Sequence, residues 1–264
     1  MIRPLFANTA SVRARERVVL RGGSWRKIDL RVRCGLIVHP DLGAVLIDAG
    51  YGPRLYEGPR SLALRAYAAV FRPQLHPLES PLALLADHGF LPEDVKLAIV
   101  THLHADHVGY LRDLPQARFI TDGQVGGLLR HGMFNELLPE DFAARCDHLR
   151  GFAPRDLPFG LGQGFDLLGD GSVLGVPLPG HAPGHFGLCF PGDVPLLYTV
   201  DTQWMCAAIL QDRAPGFPAP AIYADRAAAQ DSIAFARRFA AAGGEVMTCH
   251  DPAPTRHDWS PRDV

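Results

Sequence analysis

Short apolar runs rich in Val, Ile and Leu recur along the chain, each closed by turn-forming or polar residues: Cys34 to Val38, Ala44 to Asp48, Leu97 to Thr101, Ala117 to Thr121, Ser172 to Val176, Leu196 to Val200 and Glu245 to Cys249. Runs of this length and make-up predict strands. Between the first two, the stretch from His39 to Gly43 carries a Pro-Asp turn signal and a glycine, which predicts a hairpin and an antiparallel start. Helical patterns fall between the later runs. Ser80 is placed to cap a helix with Pro81 at its first position and Gly89 after its end, and Asp225 to cap the stretch that runs to Gly243 and Gly244. Strands alternating with helices predict an α/β layered fold. The connection from Asp48 to Ser80 is too long for a simple loop and frames a short helical pattern, Ser61 to Phe71, with Gly52, Pro53, Gly58, Pro59, Pro73 and Pro77. Its Tyr51, Tyr56, Tyr67 and Phe71 form a lid, a docking surface or a small core of their own.

Composition narrows the class. Of 264 residues 47% are hydrophobic and 20% charged, which excludes disordered and fibrous chains, and no period repeats. A formal charge of −2 leaves no domain-wide basic footprint, so nucleic acid is not expected as a partner. No apolar run reaches the ~18 residues of a membrane span, and the Arg-studded start lacks the apolar core of a secretory signal. A cytoplasmic protein without a membrane partner is expected. Cys34, Cys146, Cys189, Cys206 and Cys249 are odd in number and form no CxxC pair, which argues against disulfides and a thiolate zinc cluster and for small core residues.

The histidines carry the chemistry. The segment from Thr101 to Tyr110 places His102, His104, Asp106 and His107 at the end of an apolar run. Alternate residues of a strand running into a loop face one way, so His102 and His104 can share one cation while Asp106 and His107, further round the bend, face another. Further ligand types stand at other strand ends: His181 after Leu178, Asp201 after Val200 and His250 after Cys249. The expected sets are His102, His104 and His181 on one metal and Asp106, His107 and His250 on the other, with Asp201 bridging. Room is left for a water or hydroxide, as in catalytic rather than structural sites.

The HxHxDH segment, Pro-Gly-His181, Asp201 and His250 together resemble the metallo-β-lactamase superfamily of hydrolases, in matching order over most of the chain. The resemblance implies a four-layer αββα sandwich, a single domain over 1–264 with an insertion at about 51–80, and two divalent metal ions, zinc first, with iron, manganese or cobalt as alternatives. It implies that Asp48 supports the metal site by hydrogen bonds, and that His181 ligates while His185 supports. His39, His76, His88, His131, His148 and His257 match no motif and are expected to be ordinary surface or loop residues.

Among the branches, the secreted β-lactamases commonly use a Cys ligand and lack a His after the motif aspartate, and the flavodiiron proteins place Glu where this chain has His104. RNA-processing nucleases need a large insertion for which too few residues follow Asp201. Glyoxalase II-like enzymes begin the motif nearer the N-terminus and append a helical domain. The remaining pattern is similar to the quorum-quenching N-acyl-homoserine lactonases, whose relatives cleave organophosphates and aryl esters. Those lactonases bind substrate with a tyrosine three residues after the bridging aspartate, where this chain has Trp204, so Trp204 is a substrate donor or a pocket wall. The implied reaction is hydrolysis of a small-molecule lactone or ester by a metal-bridging hydroxide, with Asp106 orienting the nucleophile and passing its proton to the leaving group. Alternatives are an organophosphate or aryl ester hydrolase, an iron-dependent persulfide dioxygenase-like oxidoreductase, and a binding module without activity. A homodimer stays open.

Overall fold

In a computed structural model, which describes residues 2–122 and 134–261, the chain separates into two units. One comprises Ile2–Arg13, Arg31–Asp147 and Ala253–Val264; the other comprises Ala14–Leu30 and His148–Pro252. The strands of the first sheet are β1 (Leu5–Arg15), β2 (Lys27–His39), β3 (Gly43–Ile47), β4 (Gln74–Leu75), β5 (Leu97–Ile99), β6 (Arg118–Thr121) and β7 (Cys146–His148), in the order β4-β1-β2-β3-β5-β6-β7. The second sheet holds β8 (Pro154–Asp156), β9 (Gln163–Asp166), β10 (Leu174–Pro177), β11 (Phe186–Phe190), β12 (Leu196–Tyr198) and β13 (Glu245–Met247), in the order β13-β12-β11-β10-β9-β8. Among the described residues the α-helices are α1 (Glu16–Val19), α2 (Leu62–Phe71), α3 (Pro81–Asp87), α4 (Ala105–Val108), α5 (Cys206–Leu210) and α6 (Arg226–Ala241). None is long and apolar enough to cross a membrane.

In the first unit the expected hairpin is present, with β2 and β3 antiparallel and His39 opposite Gly43. β3, β5 and β6 are parallel, and their buried residues explain why they read as unbroken apolar runs. α3 begins where Ser80 accepts a hydrogen bond from the Ala83 amide, 3.2 Å away. α2 begins likewise at Ser61, which accepts from the Leu64 amide. The aromatics of the segment after Asp48 pack: the Tyr51 and Tyr67 hydroxyls are 2.5 Å apart, the Tyr67 ring lies 4.6 Å from Phe71, and Tyr51 belongs to the unit's hydrophobic core with Tyr67 packed against it. Two histidines depart from expectation. His39 and His257 are buried, and His39 Nδ1 accepts the amides of Asp41 and Leu42 to shape the hairpin loop. His131 lies outside the described residues.

The C-terminal segment returns to the same unit. The Phe6 amide donates to the His257 carbonyl and the Trp259 amide to the Phe6 carbonyl, both at 2.8 Å. Asp258 takes the guanidinium of the fully buried Arg33 at 2.7 and 3.1 Å.

In the second unit all neighbouring strands of the sheet pair antiparallel except β12 with β13. α6 starts at Asp225, whose carboxylate accepts the amides of Ala227 and Ala228 at 2.9 and 3.1 Å. Its Ala236 and Phe239 pack with Leu174, Val176 and Leu197.

Candidate metal centre

The first unit brings His102, His104, Asp106 and His107 together with Asp48. β5 stops at Ile99, so the strand register does not align the histidines; residues 100–103 lie outside any helix or strand and lead into the single turn of α4, for which His104, in an extended conformation, is the N-cap. His102 Nε2 and His104 Nδ1 lie 3.1 Å apart, and the His102 and His107 rings are 4.0 Å apart between centroids. Asp106 and His107 are successive positions on that turn, with Asp106 Oδ2 3.7 Å from His107 Nε2.

Asp48 fixes this arrangement. It is fully buried and accepts hydrogen bonds from the Thr101 amide at 2.8 Å, the Thr101 hydroxyl and His107 Nδ1 at 2.9 Å. The bond at Nδ1 directs the Nε2 lone pair of a neutral His107 away from Asp48, the tautomer a metal requires. Burial pushes the Asp48 carboxyl upward, opposed by the attraction and hydrogen bond of His107 and by Thr101. Backbone bonds lock the turn in place: the Ala49 amide donates to the His107 carbonyl at 2.7 Å and the Gly109 amide to Gly50 at 2.8 Å. Gly109 must lack a side chain, because a Cβ there would lie 2.2 Å from the Gly52 nitrogen.

The second unit gathers His181, Asp201 and His250. Asp201 Oδ2 lies 3.3 Å from His181 Nε2 and 3.2 Å from His250 Nε2, so one carboxylate oxygen stands between two imidazole nitrogens. His185 donates from Nδ1 to the Leu178 carbonyl at 2.7 Å, and its Nε2 accepts the Asp201 amide at 3.2 Å. It therefore ties the His181 loop to the Asp201 backbone without presenting a nitrogen to Asp201's carboxylate. Gly180 precedes His181 with φ +125°, and a Cβ would fall 2.2 Å from the Ala229 nitrogen, so the loop seats directly on the start of α6.

Two neighbours escape the sequence reading. Cys249 is buried, and its sulfur lies within 4.8 Å of ligand atoms of Asp201 and His250. Counting cysteine pairs passes over it, although its place beside His250 was a signal. Tyr223 belongs to no motif, yet its ring lies 6.1 Å from His181 and 5.9 Å from Trp204, with the hydroxyl donating to the Thr202 carbonyl at 3.4 Å. Burial, then the charge of Asp201, pushes its phenol well up from the ordinary value. Trp204 is half-buried and turns a face toward Tyr223. Imidazoles and carboxylates in each unit make a donor set suited to zinc and similar divalent ions.

The sequence profile of the metallo-β-lactamase superfamily matches residues 29–242. The chain belongs to the metallo-β-lactamase superfamily. Membership makes it a metal-dependent hydrolase of α/β fold with two mixed sheets, and the family implies divalent metal ions. Its relatives include the N-acyl homoserine lactonase AttM of Azorhizobium caulinodans, 30% identical over 242 residues that cover 89% of this chain and 87% of that one. AttM of Agrobacterium fabrum is 28% identical with the same coverage. Among solved structures, an N-acyl homoserine lactone hydrolase with the product N-hexanoyl-L-homoserine bound at its catalytic metal center shares the fold. Its TM-score is 0.69 at 18% identity, covering 94% of this chain and 92% of that one. The hydrolase AbOPH follows at a TM-score of 0.60 and 15% identity, covering 95% and 87%.

Proposed function

We propose that this metallo-β-lactamase superfamily hydrolase opens small N-acyl-homoserine lactone-like rings with a dinuclear centre, zinc being the first choice of metal. His102, His104 and His181 would hold one ion, Asp106, His107 and His250 the other, and Asp201 would bridge. The observation that carries the reading is the Asp201 carboxylate set between His181 and His250, since an oxygen shared by two imidazoles assigned to different ions is the arrangement a bridge requires. The named activity of the AttM relatives supports the substrate class.

When bound, two divalent ions supply Lewis acidity toward the carbonyl and lower the pKa of water toward neutrality. The chain's own residues then orient and shuttle. Asp48 holds His107 in the metal-binding tautomer, and His185 holds the Asp201 backbone. Asp106, at the edge of its turn, orients the attacking water, accepts its proton and returns it to the ring oxygen as the acyl–oxygen bond breaks, so lactone and water give a hydroxy acid. Trp204 and Tyr223 offer an apolar wall, and the Tyr223 hydroxyl would exchange its long bond to the Thr202 carbonyl for one to the acyl amide carbonyl.

The test is hydrolysis of N-hexanoyl homoserine lactone, an aryl ester and a phosphotriester by protein whose metals have been counted. Two ions per chain and a lactone preference that rises with acyl length, by up to ~0.8 kcal/mol per buried methylene, support the reading. One ion per chain after reconstitution removes the dinuclear centre, and efficient phosphotriester cleavage with a flat length dependence replaces the lactone with an organophosphate substrate.

A further inference from the structure

The unit that carries Asp201 holds a cavity of about 490 Å³ beside α5 and α6, and none of the proposed metal ligands lines it. Its wall includes Gln203, Gln230, Ile233 and the guanidinium-bearing Arg21, Arg213 and Arg237. Among the described residues the three arginines face a single lining carboxylate, Asp212, which pairs with Arg237 Nη2. Like charges are held side by side by the backbone. The Arg21 amide donates to the Ala214 carbonyl at 2.8 Å, and Arg213 donates from Nε and Nη2 to the Arg21 carbonyl at 2.9 and 2.7 Å. Arg237 spends Nε on the Ile209 carbonyl and Nη2 on Asp212, which leaves its Nη1 for a ligand. A cluster with this excess of positive charge concentrates anions, and guanidinium geometry matches a carboxylate.

Gln203 supplies the second, independent observation. It is 1% exposed, and among the described residues neither its amide nitrogen nor its amide oxygen has a hydrogen-bond partner. Buried amides are nearly always paired, so an orphaned one on a cavity-lining residue points to a missing partner, met once the Gln203 side chain turns its closed-off amide into the cavity. A primary amide offers a donor and an acceptor side by side, and an amide edge on the ligand answers both. Simple carboxylates lack the donor that Gln203 Oε1 requires, whereas an amide edge supplies one beside an acceptor.

We propose that this cavity binds a small organic carboxylate that also carries an amide, with the carboxylate on Arg21 and Arg237 and the amide on Gln203. The site is separate from the metal ligands and does not depend on the substrate assigned to them. The probe is N-acetylglycine, titrated calorimetrically into metal-loaded protein, with propionate, N-methylacetamide and inorganic phosphate as single-feature controls. One saturable site per chain is expected, at least about tenfold tighter for N-acetylglycine than for any control.

Two variants locate it. Gln203→Leu keeps the size of the side chain but removes the buried amide, so the ligand-free Tm rises while N-acetylglycine falls to the affinity of propionate. Arg21→Ala, at an exposed position away from the metal ligands, weakens N-acetylglycine about tenfold and so separates this site from carboxylate binding at the metal. The proposal is overturned by absence of saturable binding below about 10 mM, by unchanged affinity in either variant, or by a Gln203→Leu Tm lower than wild type, which would give the amide an internal structural role.

Discussion

Replacing Asp48 with asparagine tests whether a residue that need not touch the metal sets its affinity. Asp48 has φ +55°, a left-handed conformation that asparagine also adopts, so the substitution leaves the backbone alone where alanine would add strain. The carboxylate accepts on both sides, from Thr101 and from His107 Nδ1. An amide cannot. If its oxygen keeps the Thr101 amide, its N–H₂ meets the N–H at His107 Nδ1, and relief requires moving that proton to Nε2, the nitrogen a metal needs. The reverse orientation sets N–H₂ against the Thr101 N–H.

Either way one charge-assisted bond is lost at a fully buried position, worth about 1.5 to 3 kcal/mol. Expressed as metal affinity, that is about 10- to 100-fold. Competition against a chelating dye measures the affinity, and thermal unfolding of metal-free protein separates the metal effect from a folding defect. Wild-type metal affinity in a folded Asp48→Asn protein would refute the assignment of Asp48 to the orientation of His107.

Four further outcomes are expected. Asp258→Ala strands the fully buried Arg33 guanidinium and lowers stability by about 3 to 5 kcal/mol in denaturant unfolding, whereas a loss under about 1 kcal/mol would show the pair to be dispensable. Gly109→Ala drives a methyl group into the Gly52 backbone and costs about 3 kcal/mol or more, read as a fall in Tm even without metal; an unchanged Tm contradicts the close approach. Tyr223→Phe raises KM for acyl lactones about tenfold while metal content stays unchanged, and an unaltered KM dismisses the phenol as a substrate donor. Burial, with the nearby Asp251 charge, pushes the Cys206 thiol up to about 12, so iodoacetamide at neutral pH spares it in the native state, and rapid native labelling there argues against that environment.

The readable parts of this chain were those fixed by neighbours in sequence. Ser80 and Asp225 bond to amides two or three residues on, so their caps could be seen, and the β2–β3 hairpin likewise closes over a few residues. The doubly buried β3, β5 and β6 announced themselves as apolar runs. β1 did not, because its C-terminal half carries Arg13 and Arg15 and its burial follows a continuous block rather than an alternation. The turn of α4 was too short for periodicity, so its residues read as a bend. Asp106 and His107 could therefore be named as ligand types without the geometry that presents them.

The supports lie furthest from view. His185 reaches the Asp201 amide across sixteen residues, and Tyr223 enters from a segment with no motif. Cys249 reads as one more core cysteine until Asp201 and His250 are seen beside it.

The pairing of Arg33 with Asp258 also bears on how the protein is made. Arg33 leaves the ribosome well before the carboxylate that neutralises it, which is encoded 225 positions later. Until Asp258 is synthesised, closing the core around Arg33 would enclose an uncompensated cation, so the nascent sheet must keep that guanidinium in water. The strand β1 waits for the same segment, since Phe6 exchanges backbone hydrogen bonds with His257 and Trp259. The unit that begins first in translation is thus completed last, with the intervening residues 148–252 already available to fold ahead of it.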